Sequence, residues 1–150
     1  MKPICELSIV CMKAVHIETL AEIEKLCFSN PWSFQSLAEE LSNPLAAFFV
    51  AELEGEIAGY AGMNYILDEG YIANIAVHPN FRCKGIAFAL LLWLETFADE
   101  NKLELLTLEV RRSNHEAIRL YKKAGFDEKG VRRNFYTNPP EDGLIMTKYL

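Results

Sequence analysis

The sequence lacks the positive charge that most nucleic-acid binders carry. Lys and Arg number 15 against 21 Asp and Glu in 150 residues, a net charge of −6. The longest basic cluster, Lys122-Lys123, reads as a solvated helix face, not a stripe. Long apolar runs are missing too. The most apolar window, residues 86–94, is far too short to cross a bilayer, so no membrane partner is expected. The first residues carry Glu6 and polar breaks where a secretory leader needs an apolar stretch. Cysteines are few and scattered. Cys5, Cys11, Cys27 and Cys83 form no C-x-x-C pair and have no histidine at ligand spacing. Reduced thiols in a cytoplasmic protein, with no metal site, are the expectation. Neither a Gly-x-x-x-x-Gly-Lys-Ser/Thr loop nor a Gly-x-Gly-x-x-Gly fingerprint occurs. Repeats and low-complexity tracts are absent, so residues 1–150 are read as one domain. A 51% apolar content is ample for its core.

Periodicity then predicts the elements. Residues 7–13 are rich in branched side chains and read as a strand. Ile17, Leu20, Ile23 and Leu26 recur at helical spacing, up to about Cys27. Ser33 can cap a short helix bearing Phe34, Leu37 and Leu41, stopped by Asn43-Pro44. Residues 47–53 and 57–67 form a hairpin about Glu54-Gly55-Glu56, and 71–77 form a strand apolar enough for burial on both faces. A loop at 78–84 enters a helix over 85–101, then come a strand at 103–110 and a helix at 114–124. Gly125 suits the left-handed position after a helix. Residues 126–132 read as a weak strand, 133–142 as a long loop and 144–149 as a closing strand. The fold class is α/β (α+β), a mixed central sheet flanked by helices.

The most informative segment is Val77-His78-Pro79-Asn80-Phe81-Arg82-Cys83-Lys84-Gly85-Ile86-Ala87. A strand runs through a turn straight into an apolar helix. The first amides of a helix have no internal partners and can point at an anion. Gly85 and Ala87 keep side chains clear, while Arg82 and Lys84 add positive charge. Arg82-x-x-Gly85-x-Ala87 resembles the acetyl-CoA motif of the GNAT superfamily of N-acetyltransferases. The resemblance implies that Ile75, Ala76 and Val77 pair with the pantetheine arm. Amides of Cys83, Lys84, Gly85, Ile86, Ala87 and Phe88 would hold the pyrophosphate. Ala87 and Cys83 depart slightly from the pattern, which has glycine and a polar residue more often.

Glu109 ends a largely apolar strand, sharing a face with Leu105 and Thr107. Partial burial would suit it to accept a proton near neutrality. An ion pair with Arg111, two residues on, is the alternative. Ser113-Asn114-His115-Glu116 matches a Ser-x-x-Glu capping box. Ala117, Leu120, Tyr121 and Ala124 then share a helical stripe, on which Tyr121 by itself reads as a core aromatic with a wet hydroxyl.

The likeness narrows with Leu108-Glu109-Val110-Arg111-x-Ser113-Asn114-x-x-Ala117-Ile118-x-Leu120-Tyr121-x-x-x-Gly125-Phe126, Cys27-Phe28-Ser29-Asn30-Pro31-Trp32, Arg132-Arg133-Asn134-Phe135-Tyr136 and Glu141-Asp142-Gly143-Leu144-Ile145-Met146. These are similar to the bacterial ribosomal-protein-alanine N-acetyltransferases from Ile9 almost to the end. The resemblance implies Glu109 as proton acceptor, Tyr121 as proton donor and Asn114 as a bond to the pantetheine arm. It also implies acetyl-CoA as co-substrate and a protein N-terminus, such as a ribosomal one, as acceptor. Two aromatic loops, residues 28–34 and 135–142, could frame that peptide, with Trp32, Phe135 and Tyr136 as walls and Glu141 or Asp142 attracting a cationic tail. Simple loop packing is the alternative. An enzyme of the same fold acting on lysines or a small amine, and a non-catalytic CoA-binding module, remain the competing readings.

Overall fold

The computed structural model describes residues 6–150, so Cys5 lies outside the described residues. The elements run β1 (Leu7–Cys11), α1 (Ile17–Cys27), α2 (Phe34–Glu40), β2 (Ala46–Leu53), β3 (Glu56–Ile66), β4 (Glu69–Val77), α3 (Ile86–Glu100), β5 (Leu105–Arg111), α4 (His115–Lys123), β6 (Asp127–Tyr136) and β7 (Glu141–Tyr149). The strands make one seven-stranded sheet in the order β1-β2-β3-β4-β5-β7-β6. All neighbours are antiparallel except β4 and β5. Strand alternation sends side chains to two cores. Phe49, Ala61 and Met63 pack with Leu90, Leu94 and Tyr121 of α3 and α4. Phe48, Val50 and Tyr60 pack with Leu20, Ile23 and Leu37 of α1 and α2. The sheet is thus the middle of three layers, as the mixed α/β pattern predicted. No helix among the described residues is long and apolar enough to cross a membrane.

Two departures from the sequence-based expectations shape the site. The parallel pairing of β4 with β5 covers only Glu69 to Tyr71 against Leu105 to Thr107. Beyond Tyr71 the two strands diverge, and the gap explains why β4 is not buried on both faces: Ala73, Asn74, Ile75 and Val77 are partly exposed along it. The expected long loop at 133–142 is mostly strand. β6 continues to Tyr136 and β7 starts at Glu141, leaving four residues of turn. β6 is an edge strand with irregular register and Asn134 in left-handed backbone. Almost every β6 side chain is exposed, so no apolar alternation marked it.

Candidate active site

The gap between β4 and β5 opens into two adjoining clefts. The first, about 440 Å³, runs from β4 to the N-terminus of α3. Gly85 caps that helix with φ 77, a left-handed backbone that glycine adopts without strain, and Cys83 has φ 63. A Cβ built on Gly85 would meet nothing within 4 Å, so the space before the helix is clear. The first bond of the helical ladder is from Ala89 N–H to the Gly85 carbonyl at 3.0 Å. The amides of Ile86, Ala87 and Phe88 precede it and point out of the helix end, a ready anion cradle. The arrangement fits a pyrophosphate. Ile75, Ala76, Val77, Arg82, Cys83, Gly85, Ile86, Ala87, Phe88 and Asn114 all line this cleft, whereas exposed Lys84 lies outside its wall. Arg82 turns back on the strand: its Nε donates to the Val77 carbonyl at 3.3 Å and its Nη2 to Cys27 Sγ at 3.4 Å. The sequence reading missed Lys123, a cation on the opposite wall, 4.7 Å from the Phe88 ring centroid.

The second cleft, about 620 Å³, is lined by Trp32, Tyr71, Asn74, Glu109, Phe135 and Tyr136, among others. Ile75, Asn114 and Tyr121 line both clefts and mark where they meet. Asn114 arrives there by capping α4: its Oδ1 accepts from the Ala117 amide at 3.1 Å. The cap therefore falls one residue later than the Ser-x-x-Glu box placed it. The Ser113 amide instead donates to Glu141 Oε2 at 2.6 Å. Gly125, with φ 100, ends α4 as expected, and the Phe126 amide donates back to the Tyr121 carbonyl at 2.9 Å.

Glu109 is nearly buried, its side chain 5% exposed. Its partner is Arg132, whose Nε lies 2.9 Å from Oε1, and the Tyr71 hydroxyl donates to Oε2. The expected alternative pairing with Arg111 does not form. Arg111 clamps the β6–β7 turn, reaching the Thr137 carbonyl at 3.0 Å, the Pro139 carbonyl at 2.9 Å and Glu141 at 3.3 Å, with the Tyr136 ring 4.5 Å away. Glu141 and Asp142, expected to attract a cationic tail, are held internally, Asp142 by the Asn134 amide at 2.9 Å. Burial pushes the Tyr121 hydroxyl well up from its ordinary value. It does the same for Tyr71, helped by the bond to Glu109, and raises Tyr136 to about 12, helped by the Glu109 charge. All three phenols therefore keep their protons at neutral pH. Tyr71 and Arg132 were not legible as site residues: neither lies within thirty positions of the other, and no motif links them. The two aromatic loops meet across the cleft. Ser29 Oγ donates to the Asn138 carbonyl at 2.7 Å and Asn30 Nδ2 to the Thr137 carbonyl at 2.9 Å. Cys11, Cys27 and Cys83 are free thiols, and no metal-binding cluster occurs among the described residues.

The Acetyltransferase (GNAT) family model matches residues 17–126. A Bacillus subtilis (strain 168) protein provisionally named a ribosomal protein bS18-alanine N-acetyltransferase is 40% identical over 136 residues, 90% of each chain. The ribosomal protein bS18-alanine N-acetyltransferase of Escherichia coli (strain K12) is 36% identical over 126 residues, 83% of this chain and 84% of its own. The crystal structure of the Escherichia coli ribosomal-protein-S18-alanine N-acetyltransferase superimposes with a TM-score of 0.89 at 32% identity, covering 96% of this chain and 94% of that one. An anion cradle at a strand-to-helix turn, a splayed parallel strand pair and this likeness along most of the sequence have one explanation: the chain belongs to the acetyltransferase (GNAT) family, with acetyl-CoA as its co-substrate.

Proposed function

We propose that the chain acetylates the N-terminal α-amine of a protein in the cytoplasm, first of all an N-terminal alanine of a small-subunit ribosomal protein. One observation carries the reading: a cleft walled by Trp32, Phe135 and Tyr136 holds Glu109 and joins the cofactor cleft at Tyr121. The names of the relatives, alanine N-acetyltransferases of ribosomal protein bS18, support this choice of acceptor.

Acetyl-CoA supplies an activated thioester. The β4 backbone from Ile75 to Val77, freed from β5 by the splay, offers hydrogen bonds to an extended arm, and Asn114 has its amide nitrogen left to donate, since its oxygen caps α4. The amides from Cys83 to Phe88 hold phosphate. Glu109 accepts the proton of the acceptor amine, directly or through water, with Arg132 and Tyr71 fixing its carboxylate. Tyr121, protonated and at the junction of the clefts, donates a proton to the departing sulfur. The acceptor must be neutral to attack. An α-amine of pKa near 8 costs about 1.4 kcal/mol to neutralise at pH 7 and a lysine near 10.4 costs about 4.6, so a lone carboxylate suits the α-amine. A polyamine would call for several acidic groups, and Glu109 is the one carboxylate on this cleft's wall among the described residues.

The test is mass spectrometry of an alanine-initiated peptide that also contains a lysine, at limiting enzyme. Acetylation of the α-amine is expected to predominate. Modification mainly on the lysine, or none while spermine-like amines react, would replace the reading with the lysine or small-amine one.

A further inference from the structure

Glu24 is the one fully buried carboxylate among the described residues, 0% exposed, and the reaction above makes no use of it. It lies seven residues after Ile17, on the apolar stripe of α1, where Leu26, expected on that stripe, is instead exposed. No described lysine, arginine or histidine pairs with it. Neutral donors converge on it from distant segments. The Trp32 amide donates to Oε1 at 3.0 Å, and Asn74 Nδ2 lies 2.9 Å from both oxygens. Asn74 also reaches the Tyr60 hydroxyl at 3.2 Å, which itself interacts with Glu24. The Trp32 ring packs on Phe48 at 5.9 Å, and Phe48 on Tyr60 at 6.2 Å, closing the circuit.

A carboxyl group in a core costs stability that a leucine would not, so packing alone does not explain it. What it organises is specific: Trp32 and Asn74 both line the cleft read above as the acceptor's. We infer that Glu24 is a positioning residue for the acceptor, fixing through Trp32 and Asn74 the wall against which the acceptor's first residues lie. The inference rests on the proposed reading of that cleft.

Burial raises the Glu24 carboxyl to about 7, against the lowering effect of the Trp32 and Asn74 hydrogen bonds. The groups that face it are few. β3 brings Tyr60, whose hydroxyl burial and Glu24 push far up; β4 brings neutral Asn74; the segment after α1 brings the Trp32 amide, and Cys27, at the end of α1, acts on the Tyr60 hydroxyl beside it. As a carboxylate, Glu24 can accept every donor around it; once protonated, it loses part of that capacity. The wall should therefore tighten as pH rises through about 7.

Two measurements on the full chain test this. Glu24→Gln keeps the shape and removes the charge. It should raise the KM for an alanine-initiated peptide by about tenfold, the equivalent of one hydrogen bond to a charged group. The acetyl-CoA Kd and kcat at saturating peptide should stay within about twofold. Glu24→Asp, which keeps the charge, should recover part of the loss. Separately, in a Trp93→Phe background, which leaves Trp32 as the sole tryptophan, Trp32 emission should titrate with a midpoint near pH 7, and Glu24→Gln should abolish that step. An unchanged peptide KM, or equal losses in acetyl-CoA affinity and kcat, would overturn the inference, as would Trp32 emission flat across pH 5.5–8.5. If the parent chain acetylates no N-terminal peptide, the proposed function fails instead, and the emission titration still decides whether Glu24 controls the wall.

Discussion

The two clefts are built from different materials. The cleft that fits the cofactor has a phosphate end built chiefly of main chain from one stretch of sequence, the edge of β4, a turn and the first amides of α3, with α4 side chains such as Asn114 and Lys123 completing the wall. The cleft proposed for the acceptor is made of side chains from five places, Trp32, Tyr71, Glu109, Tyr121 and Phe135 with Tyr136. A main-chain site reads shape and is indifferent to most neighbouring side chains, but it fails if an atom enters the cradle. A side-chain site depends on single groups, and each can be removed without disturbing the backbone. Phosphate recognition tolerates the first design because every peptide unit carries the same donor. Proton transfer needs the second, because no peptide group titrates near neutrality.

The contrast can be broken at three points. The largest effect is expected on the side-chain half. Glu109→Gln keeps the bulk and removes the base, so kcat should fall by roughly 10²–10⁴-fold with acetyl-CoA affinity preserved. A parent-like rate at pH 7 would reduce Glu109 to a partner of Arg132 and Tyr71. Next comes the main-chain half. Gly85→Asp places a strained left-handed side chain and a negative charge at the cradle. Calorimetry should show acetyl-CoA binding weakened by more than about tenfold, the equivalent of 1.4 kcal/mol, with the circular dichroism spectrum unchanged. Retained affinity would mean that the phosphates lie elsewhere. The smallest effect sharpens the junction. Tyr121→Phe keeps the ring that packs on Phe126 at 5.9 Å and removes the hydroxyl. Here kcat should drop by roughly tenfold, below the usual range for a positioned acid, because a thiolate leaves readily without full protonation. Equal losses of melting temperature and activity would assign Tyr121 to the core.

The same contrast explains what was legible. The strand-to-helix turn is local, so Arg82-x-x-Gly85-x-Ala87 after an apolar strand marked it; Gly125 takes the left-handed backbone expected after a helix, and Gly85, expected only to keep side chains clear, takes it too. Asn114, one residue past the expected cap, shows how little local spacing constrains: Ser113 and Asn114 can both cap, and only the pull of Glu141 on the Ser113 amide settles which does. Glu109 was visible as a carboxylate on an apolar strand, but its partner was misplaced. Arg111 is nearer in sequence, yet the β6–β7 turn claims it, and Arg132 comes across β7 from the edge strand.

By itself the sequence determined the layered α/β class, the order of helices and strands through β5 and α4, the helix ends at Cys27 and Gly125, and the strand-to-helix turn that carries Gly85. Each depends on periodicity, caps or glycines within a few residues, where backbone sterics and local hydrogen bonds act. Only the tertiary structure decided the splay of β4 from β5, the pairing of Glu109 with Arg132 and Tyr71, the latch of Ser29 and Asn30 on the β6–β7 turn, and the convergence of Trp32 and Asn74 on Glu24. Those contacts join residues tens of positions apart. Their partners are chosen by which buried or half-buried polar groups the packed layers bring face to face, because each such group must find a partner or bear the cost of desolvation.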